Sequence, residues 1–205
     1  MAVLGAMPPD LDAWEAWPPR TLADRLAGLD VPWYVAGGWA LDLFRGARTR
    51  PHDDLEIAVP AAGFERVAAR FADCDFHVPH EGEVFPATPE ALRLTHQTWA
   101  CERAANRWRF DVFREPHEGG TWICRRDERI RRPYDEIIRY APDGVPYLVP
   151  EFVLLFKAKH VREKDETDFG GVLPLLDHDG RRRLDEALAL VHPAHLWRAR
   201  IAAAG

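Results

Sequence analysis

The sequence predicts an α/β (α+β) fold: a mixed β-sheet flanked by helices, followed by a small C-terminal helical lobe. Two observations carry this. Strand-like and helix-like apolar periods interleave as far as about residue 149, whereas from Pro150-Glu151 onward only helical patterns with short breaks remain. A length of 205 residues suffices for one sizeable core with an annex. The expected organisation is a sheet domain over 1–149 and a helical lobe over 150–205 that closes a cleft.

Each element follows from a local pattern. After a Pro- and Trp-rich start, Leu22, Leu26 and Leu29 recur at helical intervals, with Thr21 as the expected cap. Val31 to Ala36 reads as a short buried strand broken by Gly37-Gly38. Trp39 to Phe44 reads as a helix closed by Gly46. Leu55, Ile57 and Val59 alternate with Asp54, Glu56 and Ala58, the mark of a half-buried strand ended by Pro60. Ala61 to Phe71 has helical spacing. In the middle, Trp108, Phe110 and Val112 alternate with Arg109, Asp111 and Phe113, which places Asp111 on the polar side of a strand; Thr121 to Cys124 is a further strand. Proline is favoured at the first helical position, so Pro150 opens the helical lobe.

Composition narrows the function. A formal charge of −6 argues against a general nucleic-acid binder and suits a cationic small molecule better. The longest apolar runs, such as 151–156, fall far short of the roughly 20 residues of a membrane span, and no leader pattern opens the chain, so a cytoplasmic protein is expected. Three cysteines, Cys74, Cys101 and Cys124, lie too far apart for a zinc site and are odd in number for a disulfide framework. Of 27 basic residues only three are lysines, Lys157, Lys159 and Lys164, all within eight residues. In a chain otherwise committed to arginine, that clustering points to a task for a compact point charge.

The chemistry lies in Gly37-Gly38 at a strand-to-helix junction, followed by Asp54-Leu55-Glu56 on the next strand. Residues two apart on a strand point the same way, so the two carboxylates stand side by side and can share hard divalent cations. Magnesium suits such an incompletely filled oxygen site, because it keeps waters and accepts substrate phosphates. The glycines offer close backbone approach and free amides at a helix start for a triphosphate. Either feature alone is commonplace; their order along the chain is not.

The stretches 33–42 and 49–57, with Arg107-Trp-Arg-Phe-Asp-Val-Phe113, Tyr147 to Glu151, Leu155 to Lys159 and Lys164 to Phe169, resemble the aminoglycoside 2''-adenylyltransferase-like family of DNA polymerase beta type nucleotidyltransferases. The resemblance implies an enzyme with Asp54, Glu56 and Asp111 as metal ligands of a two-magnesium site, Asp111 serving as third ligand, general base or both. It implies Gly37, Gly38, Lys157 and Lys159 at the nucleotide, with ATP the expected donor of AMP to a hydroxyl of a small acceptor. Glu56 departs from the Asp usual in the resistance enzymes. Lys157 and Lys164 would share a face of an unbroken helix, with Asp165 and Asp168 orienting basic side chains by helical pairing. An aminoglycoside acceptor, as a polycation, would call for further carboxylates, and Glu81, Glu83 and Asp127 are the loop candidates. Two alternatives stand beside this reading: a toxin-type nucleotidyltransferase acting on RNA or protein, and a non-catalytic nucleotide-binding regulator of the same fold.

Overall fold

The computed structural model describes residues 9–204. Its elements in chain order are α1 (Pro19–Arg25), β1 (Tyr34–Val35), α2 (Gly37–Arg45), β2 (Glu56–Pro60), α3 (Phe64–Ala68), β3 (Cys74–His80), β4 (Glu83–Pro86), β5 (Gln97–Glu102), β6 (Arg107–Glu115), β7 (His117–Glu118) and β8 (Thr121–Ile123). They continue with β9 (Arg131–Pro133), α4 (Tyr134–Ile137), β10 (Ile138–Tyr140), β11 (Pro146–Leu148), α5 (Pro150–Lys157), α6 (Glu163–Val172), α7 (His178–Val191) and α8 (Leu196–Ala203). The mixed α/β character and the all-helical run from Pro150 both match the sequence pattern. The chain divides into two compact units, Met1–Trp33 with Pro51–Glu115, and Tyr34–Arg50 with Pro116–Gly205, a partition other than the one at residue 149.

In the first unit the strands run β2-β6-β5-β3-β4, with β2 parallel to β6 and the remaining pairs antiparallel. Where β2 stops pairing, residues 13–17 take its place beside β6: Trp108 N–H donates to Ala13 O at 3.0 Å and Trp17 N–H to Arg109 O at 3.1 Å. A bulge between Ala100 and Cys101 sets Cys101 opposite Trp108, leaving Arg109 as the extra residue. This overturns the simple alternation expected over 107–113. The bulge moves Trp108 to the Asp111 side, where its ring meets Trp99 at 5.4 Å and His77 at 5.4 Å. Phe110 stays on the other side with Phe71, Phe76 and Trp17. Helix α1 begins at Pro19, not at Thr21, because two consecutive prolines preset its first turn.

In the second unit β1 pairs in parallel with β11, β11 pairs antiparallel with β10, and β7-β8-β9 form a separate antiparallel ribbon. Helix α5 is the centre: Phe152, Val153, Leu154 and Leu155 are all buried, and α2, α6 and α7 pack around it. Its one buried acid, Glu151, accepts from Arg183 Nε at 2.7 Å. Phe169 and Trp197 stack at 4.2 Å and fasten α6 to α8. Helix α2 ends as expected on Gly46, whose φ of 70° is the left-handed cap that glycine adopts without strain.

Candidate active site

Asp54, Glu56 and Asp111 belong to the first unit. Leu55 is buried and its carbonyl accepts the Asp111 N–H at 2.8 Å, which leaves Asp54 and Glu56 facing the other way. Glu56 and Asp111 are direct partners across parallel strands, so their side chains project from the same face of the sheet. Asp54 is exposed, Glu56 half-buried, and Asp111 only 3% exposed. Asp111, expected on the polar side of an alternating strand, lies on a strand whose two sides are both covered over 108–112. Gln97 Nε2 donates to Asp111 Oδ2 at 2.7 Å and Thr98 N–H to Oδ1 at 3.3 Å. Burial pushes this carboxyl up to about 7 against those hydrogen bonds and a further one from the Trp99 side chain, and the nearby Asp54 charge adds to the rise.

These residues fit a magnesium ion in donor type: all are carboxylate oxygens, and a buried carboxyl raised partly by a second carboxylate is one that a cation would stabilise. Among the described residues, no three His, Cys, Asp or Glu side chains stand together as a metal cage.

Extending the Glu56–Asp111 row across the sheet, Asp111 pairs with Trp99, Trp99 with His77, and His77 with Pro86. Trp14 packs edge-on against Trp99 at 5.1 Å, and both rings are half-buried. One row further on, Pro79 pairs with Val84 on this same face. The flank beside the carboxylates is thus aromatic and apolar. Of the acids expected to meet a polycation, Glu81 sits at the tip of the two-residue β3–β4 turn with φ 50°, followed by Gly82 at φ 82°. Glu83 pairs with His80, an odd number of residues from His77, and so projects from the opposite face to Asp111. Asp75 shares the Asp111 face but is bound to Arg103 at 2.7 Å.

Gly37, Gly38, Lys157, Lys159 and Asp127 belong to the second unit. Gly37, with φ 60°, is the first residue of α2; Ala36 at the N-cap provides no side-chain acceptor, and no acidic residue occupies the first turn. A helix start of this kind presents backbone amides, which favour an anion. The loop after α2 is tied down by Asp42 Oδ1, which accepts from Thr49 N–H at 3.1 Å and Thr49 Oγ1 at 2.6 Å.

Lys157 is engaged within the protein. Its Nζ lies 2.8 Å from Asp165 and 3.0 Å from Asp168, with the ammonium side chain 10% exposed. Arg50 reaches Asp168 at 3.3 Å and Arg162 reaches Asp165 at 2.8 Å. Asp165 also accepts the Arg162 N–H at 3.1 Å, closing the start of α6. A turn between α5 and α6 separates Lys157 from Lys164, so the two do not share one helix. Lys159 is exposed just past α5. Asp127 is chelated by Arg129, with Oδ2 2.6 Å from NH2, and its side-chain and backbone hydrogen bonds from Arg129 lower its carboxyl to about 2. Sequence reasoning missed Gln97, Trp99 and Trp14, whose link to Asp111 is a matter of register and bulge.

A family model described as aminoglycoside-2''-adenylyltransferase matches residues 20–87. That stretch holds Gly37, Gly38, Asp54 and Glu56 and ends before Asp111 and the lysines. A search of curated protein sequences finds no match. Among solved structures, the fold is similar to ANT(2'')-Ia in complex with adenylyl-2''-tobramycin, at 14% identity and a TM-score of 0.56, over 83% of this chain and 95% of that one. It is similar to the lincosamide antibiotic adenylyltransferase LnuA, lincomycin-bound, at 17% identity and a TM-score of 0.53, over 75% of this chain and 92% of that one. A nucleotidyltransferase-like antigenic protein from Paracoccidioides brasiliensis matches at 17% identity and a TM-score of 0.50, over 90% of this chain and 88% of that one. No helix among the described residues is long and apolar enough to cross a membrane.

Proposed function

We propose that this protein is a nucleotidyltransferase that moves a nucleoside monophosphate, AMP from ATP, onto a hydroxyl of a small acceptor. The observation that carries the reading is the direct cross-strand pairing of Glu56 with Asp111, with Asp54 on the same side, inside a fold shared with two antibiotic adenylyltransferases. The family match over 20–87 supports the same chemistry at the glycine pair and first two carboxylates.

Asp54, Glu56 and Asp111 would hold magnesium, which supplies charge neutralisation at the phosphates of an in-line displacement with pyrophosphate as leaving group. Asp111 would serve as third ligand, as general base toward the acceptor hydroxyl, or as both. It is desolvated, its carboxyl is raised to about 7, and Gln97 and Thr98 fix its orientation. The α2 amides at Gly37 and Gly38 would receive phosphate oxygens. Lys157, held between Asp165 and Asp168, acts as a positioning residue that ties α5 to α6.

For the acceptor, the family match supports an aminoglycoside. A second reading rests on the aromatic flank: Trp99 beside Asp111, with Trp14 against it, suits an acceptor with an apolar face and few charges. The deciding experiment incubates purified protein with magnesium, each nucleoside triphosphate, and a panel of aminoglycosides and uncharged or singly charged hydroxylated compounds. Pyrophosphate release and product mass are read. A nucleotidylated product lost in Asp111→Asn supports the transfer reading; no product from any triphosphate and acceptor overturns it.

A further inference from the structure

Of the described residues in the first unit, three arginines are withdrawn from solvent: Arg25, Arg109 and Arg114. Arg25 is neutralised by Asp73 and Arg109 by Glu102. Arg114, near the end of β6, forms no ion pair among the described residues. Its Nε donates to Thr98 Oγ1 at 2.9 Å, Nη1 to Leu92 O at 2.7 Å and Nη2 to Thr95 O. The guanidinium carbon lies 5.7 Å from the centre of the Phe64 ring, and the carboxylate whose charge it feels is Asp111.

All three acceptors lie between residues 92 and 98, the stretch that enters β5 and carries two donors to Asp111: Gln97 Nε2 on Oδ2 and the Thr98 N–H on Oδ1. Thr98 pairs with Val112, so by strand alternation its side chain shares the face of Val112 and Arg114, whereas Asp111 belongs to the other. Thr98 is thereby held from both sides, its hydroxyl by Arg114 and its amide by Asp111. The Arg114 N–H adds a bond to His96 O at 2.8 Å. Loop anchoring alone is the plainer account. It leaves unexplained why the anchor is a cation, since a neutral side chain would tie the loop without the desolvation cost of a partly buried charge. The carboxylate that offsets this cost is Asp111, the same one whose donors the loop supplies.

We propose that Arg114 is the positioning residue of the Asp111 carboxylate: from the opposite face of the sheet it fixes the start of β5 and so keeps Gln97 and Thr98 on the two carboxylate oxygens. The consequence for turnover rests on the transfer reading above, in which Asp111 is a metal ligand, a general base or both; each role requires oxygens held in one orientation. The hold itself does not depend on that reading. A planar guanidinium fork reaches three separate oxygens in fixed directions, which the single nitrogen of a lysine cannot span.

The test uses the full chain and has two readouts. Without substrate, amide hydrogen exchange followed by NMR compares Thr98 with Trp108, whose N–H bonds to Ala13 O at the start of β6. Arg114→Gln is expected to lose protection at Thr98 and keep it at Trp108. With magnesium, triphosphate and the acceptor identified by the transfer assay, kcat is expected to fall about ten- to a hundredfold in Arg114→Gln while the KM for triphosphate stays unchanged. Arg114→Lys keeps the charge without the fork and should recover little. Thr98→Val removes the hydroxyl and nearly preserves the shape, so it tests the same link should Arg114→Gln fail to fold; it should also lower kcat, and Thr98→Ser should restore it. Combined with Gln97→Leu, Arg114→Gln should cost less than the two separate losses added together, because both act on one orientation. An unchanged kcat, full recovery in Arg114→Lys, additive losses, or a Thr98 amide that is unchanged or lost in step with Trp108 overturns the proposal. A wild type that transfers nothing overturns the transfer reading instead, and the exchange comparison then decides the positioning alone.

Discussion

Replacing Lys157 by Met keeps most of the side chain's volume and removes its charge from between Asp165 and Asp168, whose side chains are 0% and 4% exposed. Breaking a buried ion pair by removing one partner costs roughly 3–5 kcal/mol, because the remaining charge stays buried and uncompensated. Here Arg162 still holds Asp165 and Arg50 still holds Asp168, which places the loss near the lower end, about 3 kcal/mol. For a chain of this size that lowers Tm by roughly 6–12 °C. The pH dependence has a definite sign. Burial pushes the Asp165 carboxyl up, but the hydrogen bonds from Arg162 and Lys157 outweigh it and hold the group well below the usual carboxylate range. A group depressed in the folded state contributes its full stability above its unfolded value, about 3.9, and loses it as pH falls below that towards the folded value. The gap between wild type and Lys157→Met should therefore be constant from about pH 7.5 to pH 5 and narrow below about pH 4. Thermal unfolding followed by circular dichroism across this range is the assay. An unchanged Tm together with weakened triphosphate binding would refute the reasoning and return Lys157 to the phosphate contact that the sequence resemblance implies.

Glu56→Gln should nearly abolish pyrophosphate release while leaving Tm within about 1 °C, since it removes charge from a half-buried position without altering shape; full turnover in this variant would dismiss Glu56 as a ligand. Trp99→Ala should raise the KM for the acceptor several-fold and leave that for the triphosphate unchanged, as the ring stands beside Asp111 on the sheet face; an acceptor KM that instead falls steeply with decreasing salt and ignores the substitution would favour a polycation held by charge. Gly46→Ala should cost about 1–2 kcal/mol, a purely conformational effect because nothing lies within 4 Å of the added methyl; chemical denaturation would show it, and an unchanged midpoint would mean the end of α2 relaxes freely.

The fold was legible where periodicity and punctuation agree. Pro150 opens α5 and Gly46 closes α2 as their residue types dictate. Thr21 misled as a cap because the Pro18-Pro19 pair starts the helix earlier, and proline's fixed φ outranks a side-chain cap. Lys157 and Lys164 would share a face only of an unbroken helix, and the helix is broken between them, with Arg162 beginning a new one. The acids Glu163, Asp165 and Glu166 in its first turn are a helix-start signal that favours this break, through their attraction to the positive end of the helix.

The candidate site was legible to the extent that it is local in sequence. Asp54 and Glu56 alternate about buried Leu55, and parity alone puts them on one side. What lies beside Asp111 depends on register, and register is a property of pairs of strands. One bulge at Ala100 and Cys101 carries Trp108 across the sheet to join Trp99 and His77, so a strand that reads as half polar becomes buried on both faces. The pairing around the carboxylate itself is regular, with Trp99 opposite Asp111 and Thr98 and Gln97 next along the strand. Enclosed by Trp99 on one side and fixed by Gln97 and Thr98, Asp111 is desolvated and its carboxyl is raised to about 7; a cation bound beside it would favour the ionised form. The same register puts Trp99 beside Asp111 where further acids were expected, while Glu83 is turned to the far face by its pairing with His80. Strand register thus bears on both halves of the proposed reaction, the state of the carboxylate and the character of the acceptor it would serve.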